Sequence, residues 1–375
     1  MKKYLTLVFV LIVIISQINK AQWGFSFSVE NEYNSNPFIS PQPFNSLIST
    51  LNFGLQNELS SFSAGYYGNY VNINSASERN FYWHQFALWK DFESSSLGIY
   101  AEQRINKTDF EYYNYTNYTA YYRTLLNLGD FFVSFTPNVS ITKYSSIPIL
   151  DNFKASLGSF INRSFETGTT FILGGSLNFK KYLSPTQTET VFYINEENRL
   201  VRETFIDNNI SSITQLVSYL RTAQSITPTT GLAIQFTNRI IFNKVDNSLK
   251  DLNMIYGDES EIFDDPLNYE GNSIAFELTQ ILFDDLYLRG GYYINKKYYP
   301  SQGTYDQLFN YDTELMRSDT QRIFALSFKK NFTIESFGDI VFYSILNFNF
   351  VKNESNSYWF NYNGNSINLD FGIEF

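Results

Sequence analysis

Ile367-Asn368-Leu369-Asp370-Phe371-Gly372-Ile373-Glu374-Phe375 ends the chain, and in it every odd position is apolar and every even one is polar or glycine. Successive side chains of a strand point to opposite faces, so this spacing describes a strand with one greasy and one wet face. It runs to the last residue, where a chain is normally frayed unless a sheet ties it down. The same alternation recurs upstream. Phe25, Phe27 and Val29 interleave with Ser26, Ser28 and Glu30, and Leu51, Phe53 and Leu55 with Asn52, Gly54 and Gln56. Phe131, Val133, Phe135, Val139 and Ile141 repeat it, as do Phe171, Leu173, Leu177 and Phe179. Leu232, Ile234 and Phe236 follow, then Ile274, Phe276 and Leu278, and Phe342, Leu346, Phe348 and Phe350 make the penultimate strand. In Phe81–Lys90 and Ser212–Thr222 both faces carry large residues, and the face is left open.

The alternation predicts about sixteen strands, centred near Phe27, Phe53, Tyr66, Phe86, Ile99, Tyr122, Phe135, Leu157, Leu173, Val217, Ile234, Phe276, Leu288, Leu326, Leu346 and Phe371. Their connections alternate in length. Leu59-Ser60-Ser61, Asn127-Leu128-Gly129-Asp130 and Phe283-Asp284-Asp285 are short. Asn34–Ser46, Lys107–Asn117, Ser184–Ile210, Asn243–Gly271, Lys297–Asp319 and Lys352–Gly364 are long. Tight turns at one end and long loops at the other distinguish a transmembrane barrel from a sandwich or propeller. In hydrocarbon an unpaired backbone N–H or C=O costs several kcal/mol, so such a sheet must close on itself.

The terminal strand resembles that of bacterial outer-membrane β-barrels, where a final aromatic in this alternation serves as an assembly signal. The glycine usual in that signal would fall at Asp370, whereas this chain has Gly372. The resemblance is to porin-like barrels and is one of architecture. It implies an all-β, antiparallel up-and-down transmembrane barrel in the outer membrane of a Gram-negative cell, with short periplasmic turns and long extracellular loops. It further implies contact with outer-membrane lipid, recognition of Phe375 by the barrel-assembly machinery, and a homotrimer.

Met1-Lys2-Lys3, an apolar run over Tyr4–Ile15 and Ala21 before Gln22 read as a secretory signal peptide, residues 1–21, with the barrel over 22–375. The run is shorter than the roughly 20 apolar residues of a spanning helix. Of the 375 residues 19% are aromatic and 17% charged, which speaks against disorder. The absence of Cys excludes disulfides, thiolate metal sites and a Cys nucleophile, and the single His excludes multi-His metal sites. A net charge of −10 without basic clusters argues against nucleic acid as a partner. No cofactor is implied.

Opposite the apolar face lie Glu30, Glu58, Glu102, Arg104, Arg123, Lys154, Gln235, Arg239, Glu277, Arg289, Lys329 and Asp370. Charges there are costly in lipid, so they are expected to face an aqueous interior. Glu58, Glu102, Arg104, Arg123, Lys154, Arg239, Glu277, Arg289 and Lys329 are the candidate lumen-lining residues. One reading is a channel for small polar solutes whose mixed charges set up a transverse field. The other is an interior braced shut by salt bridges, which side chains alone fill poorly at this strand number. A non-channel barrel, with acidic loops acting as an adhesin or a docking platform for an export system, is the competing role.

The acidic stretch 243–271 lacks the regular ligand spacing of a calcium loop and reads as solvated. Thr190–Phe205 has the pattern of an extra hairpin. Tyr112, Tyr113, Tyr115, Tyr118, Tyr121 and Tyr122 read as an interfacial girdle before a sugar-stacking surface. His84 is the only candidate base of its kind, and no phosphate loop or nucleophile elbow accompanies it, so catalysis is not expected.

Overall fold

A computed structural model describes residues 23–58, 61–183, 187–194, 200–207, 212–242, 266–283, 286–300, 302–308, 310–312, 314–334 and 340–374. The signal peptide, most of the acidic 243–271 stretch and Phe375 lie outside the described residues. The barrel strands are β1 (Trp23–Asn34), β2 (Ser46–Glu58), β3 (Ser63–Ile73), β4 (Phe81–Asp91), β5 (Ser95–Asn106) and β6 (Tyr115–Leu128). Then come β7 (Phe131–Tyr144), β8 (Asn152–Ser164), β9 (Thr169–Tyr182), β10 (Ile213–Thr227) and β11 (Thr230–Ile241). The last five are β12 (Glu270–Ile281), β13 (Leu286–Tyr298), β14 (Ser318–Ile334), β15 (Ile340–Ser355) and β16 (Tyr362–Glu374). Each of the sixteen centres expected from the alternation falls on its own strand.

Every strand pairs antiparallel with its neighbours in sequence, and the sheet closes. Closure is made by β1 against β16, from Ser26↔Glu374 to Asn34↔Ser366. That pairing gives the terminal strand the hydrogen-bond partners a frayed end would lack. The β6–β7 connection is at least as tight as the sequence suggests, whereas Leu59-Ser60 and Asp284-Asp285 lie outside the described residues. Gly129-Asp130 alone joins β6 to β7, and Gly129 takes φ +71°, a conformation costly for any side chain with a Cβ. Gly168 does the same, at φ +75°, in the turn from β8 to β9.

Some long connections are shorter than read from sequence. Lys352–Ser355 still pair with Arg322–Asp319, so the β15–β16 loop shrinks to 356–361. The expected hairpin near 190–205 is present as Gln187–Ile194 against Leu200–Asp207, a two-stranded sheet separate from the barrel. A second small one, Thr304–Tyr305 against Tyr311–Asp312, sits inside the β13–β14 loop. Among the described residues no helix is long and apolar enough to cross a membrane, which says nothing about crossing by strands.

The burial is inverted relative to a soluble sandwich. Phe86, Ile99, Leu173 and Phe371 are each more than half exposed, all on the outward face. Apart from Phe25 near the start of β1, the buried apolar side chains among the described residues gather at the loop-side end. Ile73, Tyr182 and Ile213 come from strand ends, and Ile147, Leu150 and Tyr299 from the loops beside them. A barrel turned greasy side out has its hydrophobic contacts with solvent lipid rather than with a core.

Candidate functional site

The register fixes which side chains share the inner face. Glu30 pairs with Asp370, Arg104 lies between Trp83 and Tyr115, and Glu102 between Gln85 and Asn117. Arg123 pairs with Ser96, Lys154 with Ser140 and Lys180, and Glu58 with Ser63. Arg239 pairs with Val217, Glu277 with Ala233, Arg289 with Thr279, and Lys329 with Tyr287. All of these positions have the parity opposite to the exposed apolar side chains of mid-strand, with Leu125 near the β6–β7 turn sharing the parity of Arg123.

The candidate residues are less closely grouped than strand order suggests. Arg239, Glu277 and Arg289 lie on three successive strands, yet Arg239 pairs with Gly271, six residues from Glu277 along β12. Glu277 is held instead by Arg221 of β10, Nη1 to Oε2 at 2.6 Å, and accepts from the Tyr293 hydroxyl at 3.3 Å. Side chains of Arg221 and Glu277 keep 28% and 29% exposure, so this pair lies in accessible space rather than in a packed plug. Arg104 also departs from its sequence neighbour Glu102. Its guanidinium lies 4.0 Å from the Phe81 ring centre and 5.4 Å from that of Tyr113, and Nε donates to Asn106 Oδ1 at 3.2 Å.

Lys180, Arg221, Lys297, Glu32 and Glu374 share the inner face and were not among the sequence candidates. Arg221 and Gln215 fall in the stretch whose two faces look alike in sequence. There Ile213, Val217 and Tyr219 turn inward, so apolarity does not mark the outer face of this strand. The signal that finds Arg221 is its phase with Gln215, six residues earlier on the same face.

At the loop-side end loop residues pack against the inner wall. Gln215 donates to the Tyr269 carbonyl at 2.7 Å. The Tyr269 ring is approached by Arg239 at 5.4 Å and Lys297 at 5.1 Å, and it packs 5.5 Å from Tyr299. Beside it Arg317 is buried against Asp319. Its Nε donates to both carboxylate oxygens at 3.1 Å, and Nη1 donates to Gln302 Oε1 at 3.0 Å. The guanidinium lies 4.0 Å from the Tyr299 ring centre and 3.3 Å from that of Phe360. Asn353 completes the knot, donating to Asp319 Oδ2 at 3.1 Å and to the Phe360 carbonyl at 2.6 Å. Cations stacked on rings and paired with a carboxylate hold two loops to three strand ends.

The tyrosine run divides between the faces. Tyr115 and Tyr121 point inward, Tyr118 and Tyr122 outward, and Tyr113 is buried beneath Arg104. Only the outward pair suits a girdle. His84, whose face the sequence left open, points outward: its Nδ1 lies 2.7 Å from the Tyr66 hydroxyl. Among the described residues no group of three or more His, Asp or Glu gathers at metal-binding spacing.

No protein-family model and no curated protein matches the chain. Solved structures do. OccAB3 of Acinetobacter baumannii aligns with a TM-score of 0.50 at 7% identity, over 94% of this chain and 99% of that one. A substituted form of OccD1 (OprD) aligns with a TM-score of 0.50 at 10% identity, over 96% and 98%. OmpT of Vibrio cholerae, expressed in the outer membrane, aligns with a TM-score of 0.42 at 9% identity, over 96% and 99%. The fold is thus that of a porin-like, outer-membrane-type barrel: sixteen antiparallel strands, closed.

Proposed function

We propose that this barrel is a channel that passes small polar solutes across the outer membrane through a wall with a charge split. The observation that carries the proposal is the distribution of inward charges around the circumference. On β16, β1 and β2 they are Asp370, Glu374, Glu30, Glu32 and Glu58, with no Lys or Arg among inward positions. On β8 to β13 they are Lys154, Lys180, Arg221, Arg239, Arg289 and Lys297, with Glu277 the one acid. Opposite signs on opposite arcs produce a field across the bore, which orients dipolar solutes and strips them less of water than an apolar bore does. Glu102, Arg104, Arg123 and Lys329 fill the arcs between. Candidate residues of both signs make strong ion selectivity unnecessary to this reading.

The same proposal takes residues 1–21 as a cleaved leader, Phe375 as the assembly signal and a trimer as the working unit. It assigns no catalytic role, because His84 points away from the bore.

Planar-bilayer recording of the refolded protein tests it. Discrete conductance steps, with a reversal potential that moves when Arg221, Arg239 and Arg289 are changed to Gln, support the channel. A silent bilayer from protein that still shows heat-modifiable folding favours the docking platform.

A further inference from the structure

The outward surface is not uniform. From Trp23 on β1 to Phe153 on β8 it carries a groove of about 780 Å³, floored in its middle by Ala64, Ala101 and Ala120 and walled there by Phe86, Leu88 and Tyr118. The floor follows from the register. Ala101 pairs with Phe86 and Tyr118, and Ala120 with Ile99 and Val139, so small side chains sit between large ones on neighbouring strands.

The groove has a polar upper edge. Two residues toward the loops on each strand, His84, Gln103, Thr116 and Lys143 form one cross-strand row: His84↔Gln103, Gln103↔Thr116 and Thr116↔Lys143. All four have outward parity. Tyr66 fastens its first member, with the hydroxyl 2.7 Å from His84 Nδ1 and the two rings stacked 6.1 Å apart. Tyr82 also stacks on His84, centroids 6.3 Å apart and planes 6° from parallel. No Asp or Glu occupies an outward position on β3 to β7. A histidine, an amide, a hydroxyl and an ammonium in one row, without a carboxylate, suit a phosphate and repel nothing anionic.

We propose that this face is a specific lipid site: a phosphate-bearing lipid lays one acyl chain in the alanine-floored groove and sets its phosphate against Lys143 and the row beside it. The groove supplies contact with a chain that a smooth barrel wall does not, and the ammonium supplies the preference for an anionic headgroup. The proposal rests on the barrel's place in a membrane and not on conduction.

Native mass spectrometry of the detergent-solubilised full-length protein tests it, with dipalmitoyl phosphatidylglycerol and dipalmitoyl phosphatidylcholine as competing probes. The expected result is retention of phosphatidylglycerol in preference to phosphatidylcholine. Lys143→Ala should reduce that preference about fivefold, the weight of one basic residue at an anionic lipid surface. Ala101→Leu and Ala120→Leu should each lower retention of both lipids, because they fill the floor. Equal retention of the two lipids by the unaltered protein overturns the headgroup assignment. Unchanged retention in both leucine variants overturns the groove assignment. A leucine variant that alters the oligomeric state while lipid retention stays the same gives the groove to a second copy, and also overturns it. A non-conducting barrel leaves all these readouts intact, so failure of the channel and failure of the lipid site are distinguishable.

Discussion

Arg221 spans a full strand to reach Glu277: the two belong to β10 and β12, with β11 between, and their Nη1–Oε2 separation is 2.6 Å. On the register, Arg221 pairs with Gln235 and Glu277 with Ala233, so the short Ala233 side chain leaves room for the guanidinium to pass over it. The bond draws the lone acid of the basic arc onto a cation and leaves Lys154, Lys180, Arg239, Arg289 and Lys297 to set the potential of that wall.

Removing the cation should therefore alter selectivity far more than stability. With both side chains more than a quarter exposed, the pair is screened and contributes about 0–1 kcal/mol. Arg221→Ala is expected to move the reversal potential in a salt gradient toward cations while leaving the urea midpoint of unfolding nearly unchanged. Glu277→Gln is expected to move it the other way. Equal reversal potentials in the two variants refute the assignment.

The knot around Arg317 has the opposite character. Arg317 and Asp319 are 2% and 1% exposed, and both are wrapped by Gln302, Asn353, Tyr299 and Phe360. Removing one member leaves the other charge buried without its partner, which costs about 3–5 kcal/mol. Arg317→Met is predicted to loosen the 299–317 loop, seen as faster proteolysis there in an otherwise folded barrel. The double variant Arg317→Met/Asp319→Leu is predicted to recover most of the loss, because no uncompensated charge remains. Equal losses in Arg317→Met and in the double variant would place the stabilisation in the rings and not in the ion pair.

A third arrangement joins β15 to the terminal strand. The Tyr343 ring lies across Gly372 so closely that a Cβ there would overlap it. Gly98 stands in the same relation to Tyr121, and Gly174 to Tyr219, all on the inner face. Gly372→Val should force Tyr343 off its neighbour at a cost of about 1–3 kcal/mol. Tyr343→Ala in the same chain should relieve most of it. Urea unfolding of the single and the double variant measures both effects, and a neutral Gly372→Val would show that the ring moves freely.

Most of the architecture is legible in the sequence because its cause is local. An apolar outward face and a polar inward face impose a two-residue period on most strands, and connection length adds the end-to-end asymmetry. The inward placement of Glu58, Glu102 and Lys154 is implicit in that period. The period loses its meaning where inner residues are also large, as at Val217 and Tyr219, and these neighbours hide Arg221. What Glu277 bonds to depends on cross-strand register, which turn lengths and bulges set and alternation does not. The Arg317 knot is beyond local reading altogether: Gln302, Arg317, Asn353 and Phe360 meet only after three strands and two loops are in place. Nor does the period show the outward groove, because alanine and phenylalanine score alike as apolar.

The loop that carries this knot also has a pH-dependent end. Asp306 Oδ1 accepts the backbone N–H of Leu308 at 2.8 Å and of Asn310 at 2.9 Å, and Oδ2 accepts the Asn310 amide at 2.7 Å. The Asn310 side chain and backbone, then Leu308, hold this carboxyl below its ordinary value of 3.8. A carboxylate lowered on folding adds order that is fully present above its unfolded pKa and fades as pH falls through the lower folded one. Amide exchange at Leu308 and Asn310 is expected to be slow at neutral pH and to gain opening only below about pH 4. Asp306→Ala should remove the protection at every pH, whereas Asp306→Asn should retain part of it and abolish the pH dependence. Because the side chain is exposed, the effect stays confined to the 306–310 turn, and a shift in global unfolding between pH 7 and pH 5 would have to come from another group.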